Sequence, residues 1–405
     1  MRKFLPYGRQ HIADDDVAAV VAVLRGDFLT TGPMVATFEA NIAKHTGATG
    51  VSVCSSGTAA LHLAILALGI GEQDAVIVPS VTFLATASMV RATGAEVVFA
   101  DVDPQTGLLG PEQLDTAILQ GRKIFPQHRL RAVIPVHLAG QTCQLADLQA
   151  IALRHGLAII EDACHALGTV IETPTGDSLV GDCRWSDMAC FSFHPVKTIA
   201  MGEGGAVTCR DPQLLKALNR FRSHGMVREP DEFELQDRGF GPDGAPNPWY
   251  YEMLEIGFNY RASDILCALG NRQLDKLEHF VSTRRRLVDH YRRLMQPLAN
   301  LVAPVPQVAG CRAAWHLFAV QIDYSALGKS RGAVMRALQT RGIGSQVHYI
   351  PVHSQPYYRR RYGNIILPGA ELYYERTLSL PLFVGMTEAD VEHVVTGLSE
   401  ILASH

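Results

Sequence analysis

Apolar residues in the first half of this chain come in short continuous runs separated by longer mixed segments. The runs are Gly50–Cys54, Ala75–Pro79, Glu96–Ala100, Ala132–Val136, Leu157–Asp162, Met188–Phe191 and Ala206–Cys209. Runs of this length without alternation predict strands buried on both faces. Between them, residues 14–25, 34–45, 59–68, 82–93, 145–155 and 211–225 have the spacing and end signals of helices. The first opens on Asp14, Asp15 and Asp16 and closes on Arg25-Gly26, which complements its dipole. Strands alternating with helices predict an α/β protein with a mostly parallel sheet covered on both faces. In such sheets ligands sit at the carboxyl ends of the strands.

The second half reads differently. Residues 229–250 are rich in Pro, Gly and acids and are expected to be an exposed loop. A long helix is expected from Ser263 to about Met295, with Arg284, Arg285 and Arg286 on its solvated side. It would join a large domain, 1–262, to a smaller α+β domain, 263–405. The latter holds a strand over 317–322, a helix over 330–341 and a strand-like run from Gly344 to Tyr349.

Composition narrows the class. A chain of 405 residues, 47% hydrophobic and 19% charged, has the make-up of an ordinary globular protein with room for two domains. With 36 basic against 40 acidic residues the formal charge is −4, which argues against nucleic acid as a partner. No apolar run is long enough to span a bilayer, and the start Met1-Arg2-Lys3 has no apolar stretch behind it. Eight cysteines are scattered without a C-x-x-C pair, which suits reduced thiols. A cytoplasmic protein is expected. Nothing in the pattern calls for a metal.

Three features carry chemistry. Ser55-Ser56-Gly57-Thr58 joins a strand to an apolar helix and would point amides and hydroxyls at an anion; plain N-capping is the ordinary alternative. Asp162 ends an apolar run, so it falls at the carboxyl edge, although a turn or cap aspartate looks the same. Lys197 lies in Phe191-Ser192-Phe193-His194-Pro195-Val196-Lys197, followed by Gly202-Glu203-Gly204-Gly205. Alone it reads as a surface lysine on a glycine-rich hairpin. Desolvation would lower its pKa and leave its amine free to attack a carbonyl. A phosphate turn, a strand-end carboxylate and a desolvated lysine are together what pyridoxal 5'-phosphate (PLP) requires.

These residues, with Glu161-Asp162-Ala163-Cys164-His165-Ala166-Leu167-Gly168 and Asn259-Tyr260-Arg261, resemble the DegT/DnrJ/StrS nucleotide-sugar aminotransferases. The resemblance runs from about Tyr7 to the C-terminal helix. It implies the aspartate-aminotransferase fold, whose large domain has a seven-stranded, mostly parallel sheet. Ser192–Lys197, Arg222-Ser223-His224-Gly225-Met226-Val227, Gln346-Val347-His348-Tyr349 with Pro351, and Leu378-Ser379-Leu380-Pro381 resemble the members that act at C4 of a UDP-linked sugar.

By resemblance, Lys197 would hold PLP and move the proton between substrate carbon and cofactor. Asp162 would pair with the pyridine nitrogen, and His165 would sit near the phenolic oxygen. Phe83 would stack on the ring. Ser56, Gly57, Thr58 and Ser192 would hold the phosphate, with Asn259 from a partner subunit, so a homodimer with shared sites is implied. Tyr7, Asp27, Phe28, Leu29, Thr30, Ser56, Ser192, Asn259, Gln346, Val347, His348 and Tyr349 would face the sugar nucleotide, with glutamate as amino donor. Read without the resemblance, Phe83 could be core, His165 a satisfied buried histidine, Tyr7 part of a loose terminus, and Gln346 and His348 solvent-facing. His194 and His316 are candidates for lining the site. Competing readings are an aminotransferase for another sugar or nucleotide, a sugar dehydratase of the same fold, and a non-catalytic family member. The dehydratases replace the lysine by histidine, and Lys197 is present.

Overall fold

The structure is a computed structural model that describes residues 4–403; the charged start Met1–Lys3 lies outside them. The seven apolar runs form one sheet, with β1 Gly50–Cys54, β2 Asp74–Pro79, β3 Glu96–Ala100, β4 Arg129–Val133, β5 Ala158–Asp162, β6 Met188–Ser192 and β7 Gly205–Cys209. Their order is β1-β7-β6-β5-β4-β2-β3. All neighbours are parallel except that β7 runs antiparallel to both β1 and β6. The reversal goes with the connection: β6 and β7 are joined by a helix-free turn that holds Lys197 and returns the chain directly alongside β6. β4 starts and ends three residues before the run that predicts it.

Helices cover both faces. The helix α1 (Gly57–Ala67) packs on β6 and β7 and is buried from Ala59 to Ile65, as its apolar surface demands. Most strand residues are buried, and a continuous core runs from α1 through β2, β3 and β4. A second core lies beyond the sheet, built on the three strands Ala303–Pro304, Phe318–Gln321 and Thr377–Leu380 and on the helices Leu277–Met295 and Glu388–Ala403.

Two expectations fail. The helix over 263–295 is broken into Asp264–Leu274 and Leu277–Met295. The break carries no Gly or Pro. Lys276 is drawn instead to Asp15 and Asp16, at 2.7 and 2.9 Å, and Gln273 bonds Asp16 at 3.0 Å. Of the three arginines, Arg286 is exposed and Arg285 half-buried, but Arg284 is only 1% exposed. It donates to the carbonyls of His316 at 3.2 Å and Leu382 at 2.9 Å. Its place in the stripe Phe280, Arg284, Leu287, Tyr291 puts it on the inward face.

The 229–250 segment is mostly exposed and irregular, as expected, but contacts of its own pin it in place. Phe233 is buried against Phe240 and Tyr250, and Glu252 accepts from the amides of Glu234 and Leu235 at 2.7 and 2.8 Å.

Candidate active site

The carboxyl ends of β2, β5 and β6, the start of α1 and the segment Gln346–Ile350 enclose a cavity of about 580 Å3. Tyr7, Ser56, Gly57, Thr58, Phe83, Asp162, His165, Ser192, His194, Lys197 and Gln346 to Tyr349 all line it.

At the start of α1, Ser56 is the N-cap and its Oγ accepts from the Ala59 amide at 3.1 Å. The amides of Gly57 and Thr58 precede the first intrahelical bond and are free for an outside acceptor. Capping and anion binding therefore coexist here. The turn is packed against the β6–β7 connection: a Cβ on Gly57 would lie 2.7 Å from Cβ of Ser192. One on Gly205 would lie 2.3 Å from the Ser56 carbonyl oxygen. Only glycine fits at either position.

Asp162 is the last residue of β5 and 5% exposed. Thr86 donates to its Oδ2 at 2.7 Å, and the Cys164 amide to its Oδ1 at 3.2 Å. Thr82 hydrogen-bonds Thr86 in turn, at 2.7 Å. Lys197 sits on a turn closed by its own amide on the His194 carbonyl and by the Met201 amide on the Phe193 carbonyl. Burial pushes the Lys197 amine below the usual lysine range, against the opposing pull of Cys164 and Asp162. The lysine the sequence picked out is thus desolvated, and it shares its cavity with Asp162.

A group of aromatic and imidazole rings forms the far wall. The Ala139 amide donates to Nδ1 of His165 at 3.3 Å, and Nε2 of His165 lies 3.2 Å from the Tyr349 hydroxyl. The His316 ring is 4.3 Å from that of His165. Nδ1 of His348 meets the Ser379 hydroxyl at 2.8 Å, and its ring lies 5.3 Å from Tyr7. Burial, and then the positive charge of Lys197, hold His165 well below the ordinary histidine range; the same causes take His348 down to about 3. All three are neutral imidazoles. Tyr7 is not a loose terminus: Leu5 pairs with Gly342 and Gly344, and the Tyr7 carbonyl accepts from the Leu382 amide at 3.0 Å.

Phe83 is 55% exposed at the cavity mouth, so it is not core. Gln346 to Tyr349 form no strand; a single bridge joins Gln346 to Ser379, and His348 is buried while Gln346 is exposed. His316 lies behind His165. Asp27, Phe28, Leu29 and Thr30 are exposed, and Asp27 and Phe28 line a separate groove with Met34 and Arg272. That loop is fixed by the buried Asp264 carboxylate, which accepts from the Gly32 and Met34 amides at 2.7 and 2.8 Å. Asn259 is exposed, while the rings of its chain neighbours Phe258 and Tyr260 stack on each other and pack on His62. Neither Asn259 nor the 27–30 loop reaches the cavity of its own chain. Sequence reasoning missed Thr86 and Gln355. Thr86 lies one helical turn after Thr82, which would have placed the two on one face.

Residues 10–399 match the model of the DegT/DnrJ/EryC1/StrS aminotransferase family. The chain belongs to this family. It is therefore a PLP-dependent sugar aminotransferase with the corresponding α/β fold. Among solved structures it is similar to Helicobacter pylori PseC, an aminotransferase involved in the biosynthesis of pseudoaminic acid. The two share 26% identity over 100% of both chains, with a TM-score of 0.87. A family member from Brucella abortus is 30% identical over 96% of each chain, with a TM-score of 0.82. A sugar aminotransferase of Streptococcus pneumoniae in its PLP form is 24% identical over 99% of this chain and all of that one, with a TM-score of 0.85.

Proposed function

We propose that this enzyme moves the amino group of L-glutamate to C4 of UDP-2-acetamido-2,6-dideoxy-β-L-arabino-hex-4-ulose, giving UDP-4-amino-4,6-dideoxy-N-acetyl-β-L-altrosamine. One observation carries the reading. Lys197, Asp162, the Ser56–Thr58 turn and the Gln346–Tyr349 segment open on one cavity, in a chain similar to PseC over its whole length.

The residues fit PLP: the tight Gly57–Ser192 approach leaves a cradle of free amides, and Asp162 and Lys197 face the same space. PLP, when bound, supplies an electron sink that acidifies the C–H bond beside the reacting nitrogen. Asp162 would keep the ring nitrogen protonated through a charge-assisted bond, and Thr86 and the Cys164 amide hold its carboxylate in one orientation. The amides of Gly57 and Thr58, with the hydroxyls of Ser56 and Ser192, would take the phosphate at the positive end of α1. Phe83, at the cavity mouth, would cover the ring, and His165 would stand on the side of its oxygen.

Lys197 would hold the cofactor through its amine, and the same amine would carry the proton to and from Cα of glutamate or C4 of the sugar. Its desolvation lowers its pKa and so eases the release of the proton that this amine must give up. Tyr7 and Gln346 to Tyr349 contact the sugar. The Asp27–Thr30 loop and Asn259 serve the cavity of a second copy, so the working unit is a homodimer with shared sites. The enzyme acts in the cytoplasm on a nucleotide-linked sugar.

The test is incubation of the purified enzyme with L-glutamate and UDP-, dTDP- or GDP-linked 4-keto sugars, with the product read by mass and NMR. An axial or equatorial amine at C4 of the UDP-linked 2-acetamido sugar distinguishes the altrosamine from its epimers. Turnover of only the dTDP or GDP substrates would replace this assignment.

A further inference from the structure

The hydrogen bonds around His165 have a direction. An amide N–H can only donate, so Nδ1 of His165, facing the Ala139 amide at 3.3 Å, must present its lone pair. A neutral imidazole with a bare Nδ1 carries its proton on Nε2. A second proton on Nδ1 would point at the amide hydrogen. It would also put a cation into a buried site beside Lys197, His316 and His348. Nε2–H therefore donates to the Tyr349 oxygen over 3.2 Å. With its oxygen so engaged, the Tyr349 hydroxyl must send its own hydrogen elsewhere. Its ring lines the cavity with Phe83, at 6.0 Å between centroids, and Asp162, Tyr7 and Cys164 line the same cavity. Burial first, and those groups next, push the phenol well above its usual range, so it stays protonated and a donor.

We propose that Tyr349, oriented by His165, is a fixed hydroxyl donor to an oxygen of the ligand bound beside Lys197. The oxygen is either the ring oxygen of PLP or a sugar oxygen of the acceptor. His165 is then a positioning residue that acts through Tyr349, not the group that meets the ring oxygen. This rests on the PLP reading of the site and adds a residue to it.

The experiment compares wild type, Tyr349→Phe, His165→Gln and His165→Leu, each reconstituted with PLP. The near-visible band is titrated with pH, first without sugar, and then KM and kcat are measured for the nucleotide sugar. A donor on the ring oxygen competes with the proton that this oxygen shares with the Lys197 nitrogen. Its loss in Tyr349→Phe then raises the midpoint by about one to two pH units. A donor on a sugar oxygen instead leaves the midpoint alone and raises KM for the sugar about tenfold or more. In either case His165→Gln, whose amide can both accept from Ala139 and donate to Tyr349, behaves as wild type in the affected quantity. His165→Leu moves with Tyr349→Phe. Phenylalanine keeps the packing on Phe83, so loss of folding does not confound the result. An unchanged midpoint and an unchanged KM in Tyr349→Phe overturn the proposal while leaving the PLP site intact. Absence of any near-visible band in wild type would overturn the PLP reading instead.

Discussion

Thr86 donates its hydroxyl to Oδ2 of Asp162 over 2.7 Å, with both side chains shut inside the carboxyl edge of the sheet. A carboxylate that must face a ring nitrogen needs its other lone pairs occupied, or it rotates to satisfy them. Thr86→Val keeps the shape and removes the donor. A hydrogen bond to a charged group contributes about 1.5–3 kcal/mol, so PLP affinity is expected to fall at least tenfold. Absorbance titration of the PLP-free enzyme measures it.

Lys197 gives a stability signature in the PLP-free protein. Its folded-state pKa lies below the unfolded value of about 10.4. Below the folded pKa, folding must bury an ammonium, and that cost is relieved as pH rises through the folded value toward 10.4. Lys197→Met is thus expected to melt higher than PLP-free wild type near neutral pH, with the gap closing above about pH 10. Thermal denaturation across this range is the check.

The buried histidines act at the acid end. His348 is taken down to about 3 in the fold, against about 6.5 unfolded. The stability its neutral form permits is complete above 6.5 and is lost as pH falls from there toward 3. His348→Gln is expected to lower proton uptake on unfolding near pH 5 by about one proton. Calorimetric unfolding in buffers of different ionisation enthalpy reads that number.

Arg284 clamps the His316 and Leu382 carbonyls, and the Leu382 amide in turn holds Tyr7. Among the described residues no carboxylate pairs with it. Arg284→Ala strands buried carbonyls and is expected to cost about 3 kcal/mol or more in urea unfolding. It should also weaken binding of the sugar nucleotide through Tyr7, whereas a surface change such as Arg286→Ala should do neither.

The sheet was legible because each strand is a closed apolar run, and strand-end Asp162 followed from that alone. Lys197 and the Ser56–Thr58 turn stood out because glycines and hydroxyls flank them. What escaped depends on long-range partners. Nothing local marks the break at Asp275–Lys276, which Asp15 and Asp16 impose from 260 residues away in the chain. The aromatics of the 229–250 segment, Phe233, Phe240 and Tyr250, were too widely spaced to announce a small core. Arg284 was readable, since it completes an inward stripe, but its charge drew the eye outward. The direction of the His165–Tyr349 bond could not be seen in sequence, because the Ala139 amide that decides it comes from another strand connection.

The claim on which the rest stands is that the Lys197 amine bonds the cofactor opposite Asp162. The most direct measurement is borohydride reduction of the PLP-loaded enzyme, followed by peptide mass mapping. The account predicts one phosphopyridoxyl group, on Lys197, and none in Lys197→Ala treated alike. A label on another lysine, or equal labelling of Lys197→Ala, would contradict it.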